Sequence, residues 1–151
     1  MGTYDLVEEA LDREGVEIFF RKIAIRPGKP AVFGRKGSCL VFGLPGNPVS
    51  AMVTFELFVR PALLRLGGHA RLDRPVVTAR ALASIDNPGR RRGYLRVTLT
   101  AGEGGYGARL TGDQSSGILR SMVDADGLAV LPGNTAIEIG AAVRVILLRS
   151  V

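Results

Sequence analysis

The chain has 151 residues, 46% of them apolar, which allows one medium domain or two small ones around a mostly aliphatic core. A net charge of +6, carried mainly by arginine, favours an anionic ligand, while no basic–aromatic repeat, zinc-finger spacing or helix-turn-helix signature supports nucleic acid. With one cysteine (Cys39) and one histidine (His69), an internal disulfide, a thiolate metal cluster and a Ser-His-Asp arrangement are excluded on a single chain. No apolar stretch is long or pure enough to span a bilayer, no cleavable signal peptide is seen, and the cysteine usage suits a reducing cytoplasm.

Residues 4–13 read as a helix, with Leu6, Val7, Ala10 and Leu11 on one apolar face, Thr3 as a possible cap and Gly15 as the stop. Residues 16–25 read as a strand whose alternation breaks near Phe20. Next comes Arg26-Pro27-Gly28-Lys29-Pro30, a tight turn carrying two cations beside Lys22. A short strand over 31–33 and a polar turn over 34–37 lead to the apolar run 39–42, which reads as a strand covered on both faces, with Cys39 an inert core thiol.

Leu44-Pro45-Gly46-Asn47-Pro48-Val49-Ser50 joins that strand to the longest helix, expected over 48–66. Pro45-Gly46 suits a type II turn with glycine in the left-handed position, Asn47 an N-cap, and Pro48 the first helical position. Free N–H groups of the first turn could hold a carboxylate or phosphate, and Ser50 could add a hydroxyl. A rigid turn that binds nothing fits the same residues. Apolar side chains cover most of the helix circumference, so it should be buried in a larger body or at a subunit interface, with Pro61 bending it.

Lys22, Arg26 and Lys29 could converge with the helix start on one crevice, as loops at strand ends do in α/β units, and neutralise a phosphate or oxyanion there. A solvated basic turn is the plain alternative. Gly67-Gly68-His69-Ala70 marks the best boundary, dividing 1–68 from 69–151. Beyond it, strands expected at 76–82, 94–100, 107–110, 128–131 and 142–148 suggest a compact all-β barrel or sandwich. Arg90-Arg91-Arg92 reads as a solvent-facing turn able to guide an anion, and Gly112–Gly117 as a polar loop that either meets phosphate or simply connects.

The strings Gly2-Thr3-Tyr4-Asp5-Leu6-Val7, Ile25-Arg26-Pro27-Gly28-Lys29-Pro30, Val41-Phe42-Gly43-Leu44-Pro45-Gly46-Asn47-Pro48-Val49-Ser50-Ala51, Gln114-Ser115-Ser116-Gly117 and Asp126-Gly127-Leu128-Ala129-Val130-Leu131-Pro132 resemble the carboxyl-terminal portion of the molybdopterin molybdenumtransferase family, which includes a homologous domain of animal gephyrin. The resemblance covers nearly the whole chain. It implies an α/β fold class: part of a three-layer molybdopterin-binding domain, followed by a small all-β barrel. It also implies an elongated homodimer that consumes adenylylated molybdopterin and molybdate, releases AMP and uses Mg2+. Residue by residue, it implies catalytic roles for Asp5, Lys22 and Arg26, with Asp5 also toward the metal. It further implies ligand-binding roles for Lys29, Pro45, Gly46, Asn47, Pro48, Ser50 and Ser116. Arg26 stands where a lysine is common in the family, and Thr3 where an acidic residue is frequent. The family's amino-terminal domains and its Gly-Gly pterin-phosphate segment have no counterpart here, so the expectation is an incomplete transferase. The alternative is a non-catalytic dimeric interaction module with residual anion binding.

Overall fold

A computed structural model describes residues 6–150. Helix α1 (Val7–Arg13) carries Glu8 and Glu9 in its first turn and Arg13 in its last, which complements the helix dipole. Gly15, at φ 66°, turns the chain out of it.

Residues 16–25 do not form one strand. Strand β1 (Glu17–Phe20) ends at the expected break, and β2 (Ile25–Arg26) leaves that sheet to pair in parallel with a strand of the second half. The segment 34–37 is not a turn as a whole either. Gly34, Arg35 and Lys36 belong to β3 (Val32–Lys36), and only Gly37-Ser38 turn the chain into β4 (Cys39–Gly43). These strands make an antiparallel sheet in the order β1-β3-β4. Cys39 sits beside the hairpin turn and is exposed, a correction to the core thiol expected. A short apolar run shows that a strand is covered somewhere, but not where along its length the cover ends. Phe33 stacks on Phe42 at 4.8 Å and meets Phe20, whose ring in turn contacts Phe58 of the long helix.

Helix α2 (Pro48–Thr54) begins with Asn47 in extended backbone and Pro48 in the first turn. Gly46 does not take a left-handed φ, and the Asn47 side chain makes no capping bond, its Oδ1 being buried without a partner. The expected type II turn and side-chain cap are therefore corrected. Two prolines restrict their own φ and hold the residues before them extended, which shapes the junction without either device. The helix runs on through a π-helical turn (Phe55–Val59) into α3 (Arg60–Leu66). Pro61 lacks the N–H for a normal helical bond, and the wide turn before it absorbs its ring. Val49 and Val53 are fully buried, whereas Met52, Phe55, Leu63 and Leu66 are exposed.

In the second half, β5 (Val76–Ala81), β7 (Arg92–Gly102), β8 (Gly105–Leu110), β9 (Gly127–Leu131) and β11 (Ala142–Leu147) close in the cyclic order β7-β8-β5-β11-β9. The β5–β8 ladder is parallel and the other four are antiparallel, so the result is a closed five-stranded mixed barrel. Two strands too short to expect from sequence, β6 (Ile85–Asn87) and β10 (Thr135–Ile137), pair with each other. A single helical turn, α4 (Arg120–Val123), leads into β9. Ile85, Val97, Leu131 and Val145 fill the barrel at full burial. A second cluster joins Ile25, Val49 and Val53 to Tyr94, Met122 and Leu128, packing β2 and α2 against the barrel wall. The fold class is α/β with an appended all-β barrel.

Candidate functional site

The basic turn and the helix start meet across one cleft of about 540 Å³. Residues 26–30 and Ser50 line it from the α/β part. Arg91, Leu95, Arg96 and the loop 113–116 line it from the barrel.

The turn is held there by sequence-specific packing. Gly28 lies at φ 116°, and a Cβ built on it would come 2.5 Å from Thr54 Cγ2, so only glycine lets the turn press on α2. The Ile23 N–H donates to the Lys29 carbonyl at 3.0 Å and closes the loop. From the other side, Arg91 Nη1 donates to the Ile25 carbonyl at 2.9 Å, and the Arg92 N–H to the Ala24 carbonyl at 3.2 Å. The basic turn is thus moored to both parts of the molecule.

Arg96 is the least expected member. It lies between Leu95 and Val97 on β7 and is only 1% exposed. Its Nε donates to Ser121 Oγ and its Nη2 to the Ser115 carbonyl, both at 3.2 Å, and among the described residues it forms no ion pair with a carboxylate. Burial pushes its guanidinium pKa below the ordinary arginine range, with the Asp113 charge opposing that shift and the Arg26 charge adding to it. It remains cationic at any physiological pH. A buried cation with only neutral partners, facing a cleft that holds further cations, is electrostatically incomplete until an anion arrives.

Of the residues singled out from sequence, the structure brings Arg26, Lys29, Ser50 and Ser116 onto this one cleft. Lys22 is exposed and stands outside the lining, as do Pro45, Gly46, Asn47 and Pro48. Asp5 lies outside the described residues. Arg96 was not a sequence candidate, and Arg91 was expected only as part of a solvent-facing turn able to guide an anion. The Arg91 guanidinium instead reaches back to β2. A lone arginine inside the otherwise apolar stretch from Tyr94 to Val97 was the one available sign of Arg96. No cluster of three or more His, Cys, Asp or Glu occurs among the described residues. The only carboxylate lining the cleft there is Asp113, whose Oδ1 accepts the Ser115 N–H at 2.7 Å. This donor set fits an anion and does not fit a Mg2+ ion. No helix among the described residues is long and apolar enough to cross a membrane.

The two parts correspond to two known sequence families. Residues 1–65 match the probable molybdopterin binding domain, and residues 78–148 match the MoeA C-terminal region (domain IV). Fold and sequence together therefore define an α/β unit of the probable molybdopterin binding domain type joined to a MoeA-type terminal barrel. Molybdopterin molybdenumtransferase from Nostoc sp. is 38% identical over 97% of this chain, which spans 35% of that protein. Gephyrin from Dictyostelium discoideum is 36% identical over 98% of the chain and 24% of its own length. Among solved structures, the molybdopterin biosynthesis MoeA protein from Pyrococcus horikosii superimposes with a TM-score of 0.73 at 34% identity, covering 95% of this chain and 35% of that one. The chain belongs to the molybdopterin molybdenumtransferase family and spans about a third of the length of such relatives.

Proposed function

We propose that the chain is the carboxyl-terminal part of a molybdopterin molybdenumtransferase, which inserts molybdate into adenylylated molybdopterin with release of AMP, and that it is incomplete by itself. The observation that carries this reading is the cleft, where Arg26, Lys29 and Arg96, which forms no ion pair with a carboxylate among the described residues, face one space of a size suited to a phosphorylated ligand.

In this reading residues 1–68 and 69–151 are the two functional units, and each contributes one wall. Arg26 and Arg96 take up phosphate or molybdate oxygens through planar donor pairs, Lys29 adds a point charge, and Ser50 and Ser116 add hydroxyl donors. Positive charge fixed in place before the ligand binds would lower the barrier wherever negative charge grows on the departing AMP. Pro45, Gly46, Asn47 and Pro48 act by shaping the approach to Ser50. Lys22 serves from outside the described lining. Asp5 is retained from the family resemblance as the carboxylate toward Mg2+, and no step here passes through that ion. A homodimer, a cytoplasmic location and dependence on amino-terminal domains complete the proposal.

The exposed apolar helix face at Met52, Phe55, Leu63 and Leu66 favours a second reading, a non-catalytic dimeric interaction module with residual anion binding. The deciding experiment supplies adenylylated molybdopterin, molybdate and Mg2+ to the purified chain, alone and with the amino-terminal domains of a relative, and follows AMP release. Turnover only with the added domains supports the transferase reading. Turnover by the chain alone contradicts its incompleteness, and turnover in neither mixture favours the interaction module.

A further inference from the structure

The loop carrying Ser116 has no sheet of its own to hold it, yet it must keep its place opposite the basic turn. The β7–β8 ladder ends at the pair Val97–Leu110, and Gly112, at φ 107°, turns the chain away. One position further along β7, the Thr111 N–H still donates to the Arg96 carbonyl at 3.0 Å, but the Arg96 N–H has no strand partner and a side chain takes over there. Gln114 Oε1 accepts the Arg96 N–H at 2.8 Å, and Gln114 Nε2 donates to the Arg96 carbonyl at 3.2 Å and to the Gly112 carbonyl at 3.1 Å. A primary amide has the same donor and acceptor pair as a peptide group, so Gln114 imitates a strand neighbour.

The same loop grips the other end of that residue. Arg96 Nη2 donates to the Ser115 carbonyl and Nε to Ser121 Oγ, while Ser121 Oγ donates to the Ile118 carbonyl at 2.6 Å. Ser121 is 2% exposed, so this anchor is itself fixed. Arg96 is therefore clamped by one loop at both its peptide and its guanidinium, and Ser116 follows two residues after Gln114.

We propose that Gln114 is a positioning residue of the anion site: it locks the 112–117 loop onto the Arg96 peptide, so that the Ser115-Ser116 segment and the Arg96 guanidinium meet a ligand as one rigid unit. This rests on the cleft being an anion site. The amide is long enough to span from the loop to β7, whereas methionine has the length without the hydrogen bonds and asparagine has the bonds without the length.

The test compares the full 151-residue chain with Q114M by NMR, first without ligand and then during titrations with orthophosphate and with molybdate. Without ligand, the Arg96 amide and Nε–H signals are expected to be sharp and slowly exchanging in the parent chain. In Q114M they should broaden and exchange at least tenfold faster, while the methyl signals of Val97 and Val145 stay put. On titration, Q114M should bind either anion about tenfold more weakly, keep the response of Gly28 and Lys29, and lose that of Ser115 and Ser116. A merely structural role would weaken both walls alike. Q114N supplies the same comparison should Q114M fold poorly. Unchanged exchange at Arg96 in either variant overturns the clamp, whether or not an anion binds. An intact clamp in a parent chain that answers to neither anion overturns the anion-site reading instead.

Discussion

The barrel and the α/β part solve the same problem to different degrees. In the barrel, five strands close on themselves, so each of them finds a partner on both sides and the enclosed Ile85, Val97, Leu131 and Val145 lose all contact with water. In the α/β part, a three-stranded open sheet and a helix interrupted by a π-helical turn leave Phe19 51%, Leu63 54% and Leu66 70% exposed. Closure gives the barrel its own core, while the α/β part leans on the barrel through Ile25, Val49 and Val53. The cleft sits where the two meet, so the region that cannot cover itself supplies the basic turn, moored to both parts, and the self-sufficient region supplies the buried Arg96.

The largest expected effect tests the barrel directly. Leu131→Ala empties a fully buried position in its centre and should lower stability by about 3 kcal/mol in urea unfolding. A loss under about 1 kcal/mol would show that the barrel is less tightly packed than the comparison requires. Next, Arg96→Met should weaken phosphate binding about a hundredfold, through the loss of a desolvated cation and its charged hydrogen bonds. Stability should change by less than about 1 kcal/mol, because an uncompensated buried charge disappears with it. A large loss of stability with unchanged phosphate affinity would assign Arg96 to the fold alone.

Gly28→Ala addresses the seam. Its Cβ would strike Thr54 at a backbone conformation that alanine resists, so the variant should lose about 2 kcal/mol and bind phosphate more weakly at the same time. A purely local loop effect would leave binding intact. Phe55→Ser, on the open helix face, should change stability by no more than about 0.5 kcal/mol while reducing self-association in sedimentation measurements. The smallest effect is at the surface. Lys36, bonded to Glu14 at 2.9 Å, holds that carboxyl below its ordinary 4.5. The group therefore contributes its stability above the unfolded pKa and loses it as pH falls through the lowered one. Both groups are so exposed that Glu14→Gln should lower the melting temperature at pH 7 only marginally, with the difference from the parent chain vanishing as pH falls through the acid limb.

The legibility of the sequence followed the same division. Barrel strands were readable because β-rich runs such as 142–147 are bounded by glycine and proline, and the helix start was readable because Pro48 is pre-shaped for a first turn. Pairing across long sequence distance was not readable. Nothing local says that Ile25 and Arg26 leave their neighbours to join β7, or that the Cys39 end of an apolar run lies open. Four cleft residues, Arg26, Lys29, Ser50 and Ser116, could be picked out as charge or hydroxyl in Gly/Pro-rich turns, with the family resemblance adding Ser116. Arg96 was hidden because strand periodicity describes which face a side chain takes, and Gly93, Tyr94, Leu95, Arg96 and Val97 are all buried on both faces of β7.

The central claim is that two dissimilar regions build one anion site. A phosphate titration followed by backbone NMR tests it most directly. Gly28 and Lys29 on one wall should shift together with Ser115 and Ser116 on the other, all fitting a single dissociation constant. Shifts confined to one wall, or scattered without saturation over exposed arginines such as Arg80 and Arg144, would contradict it.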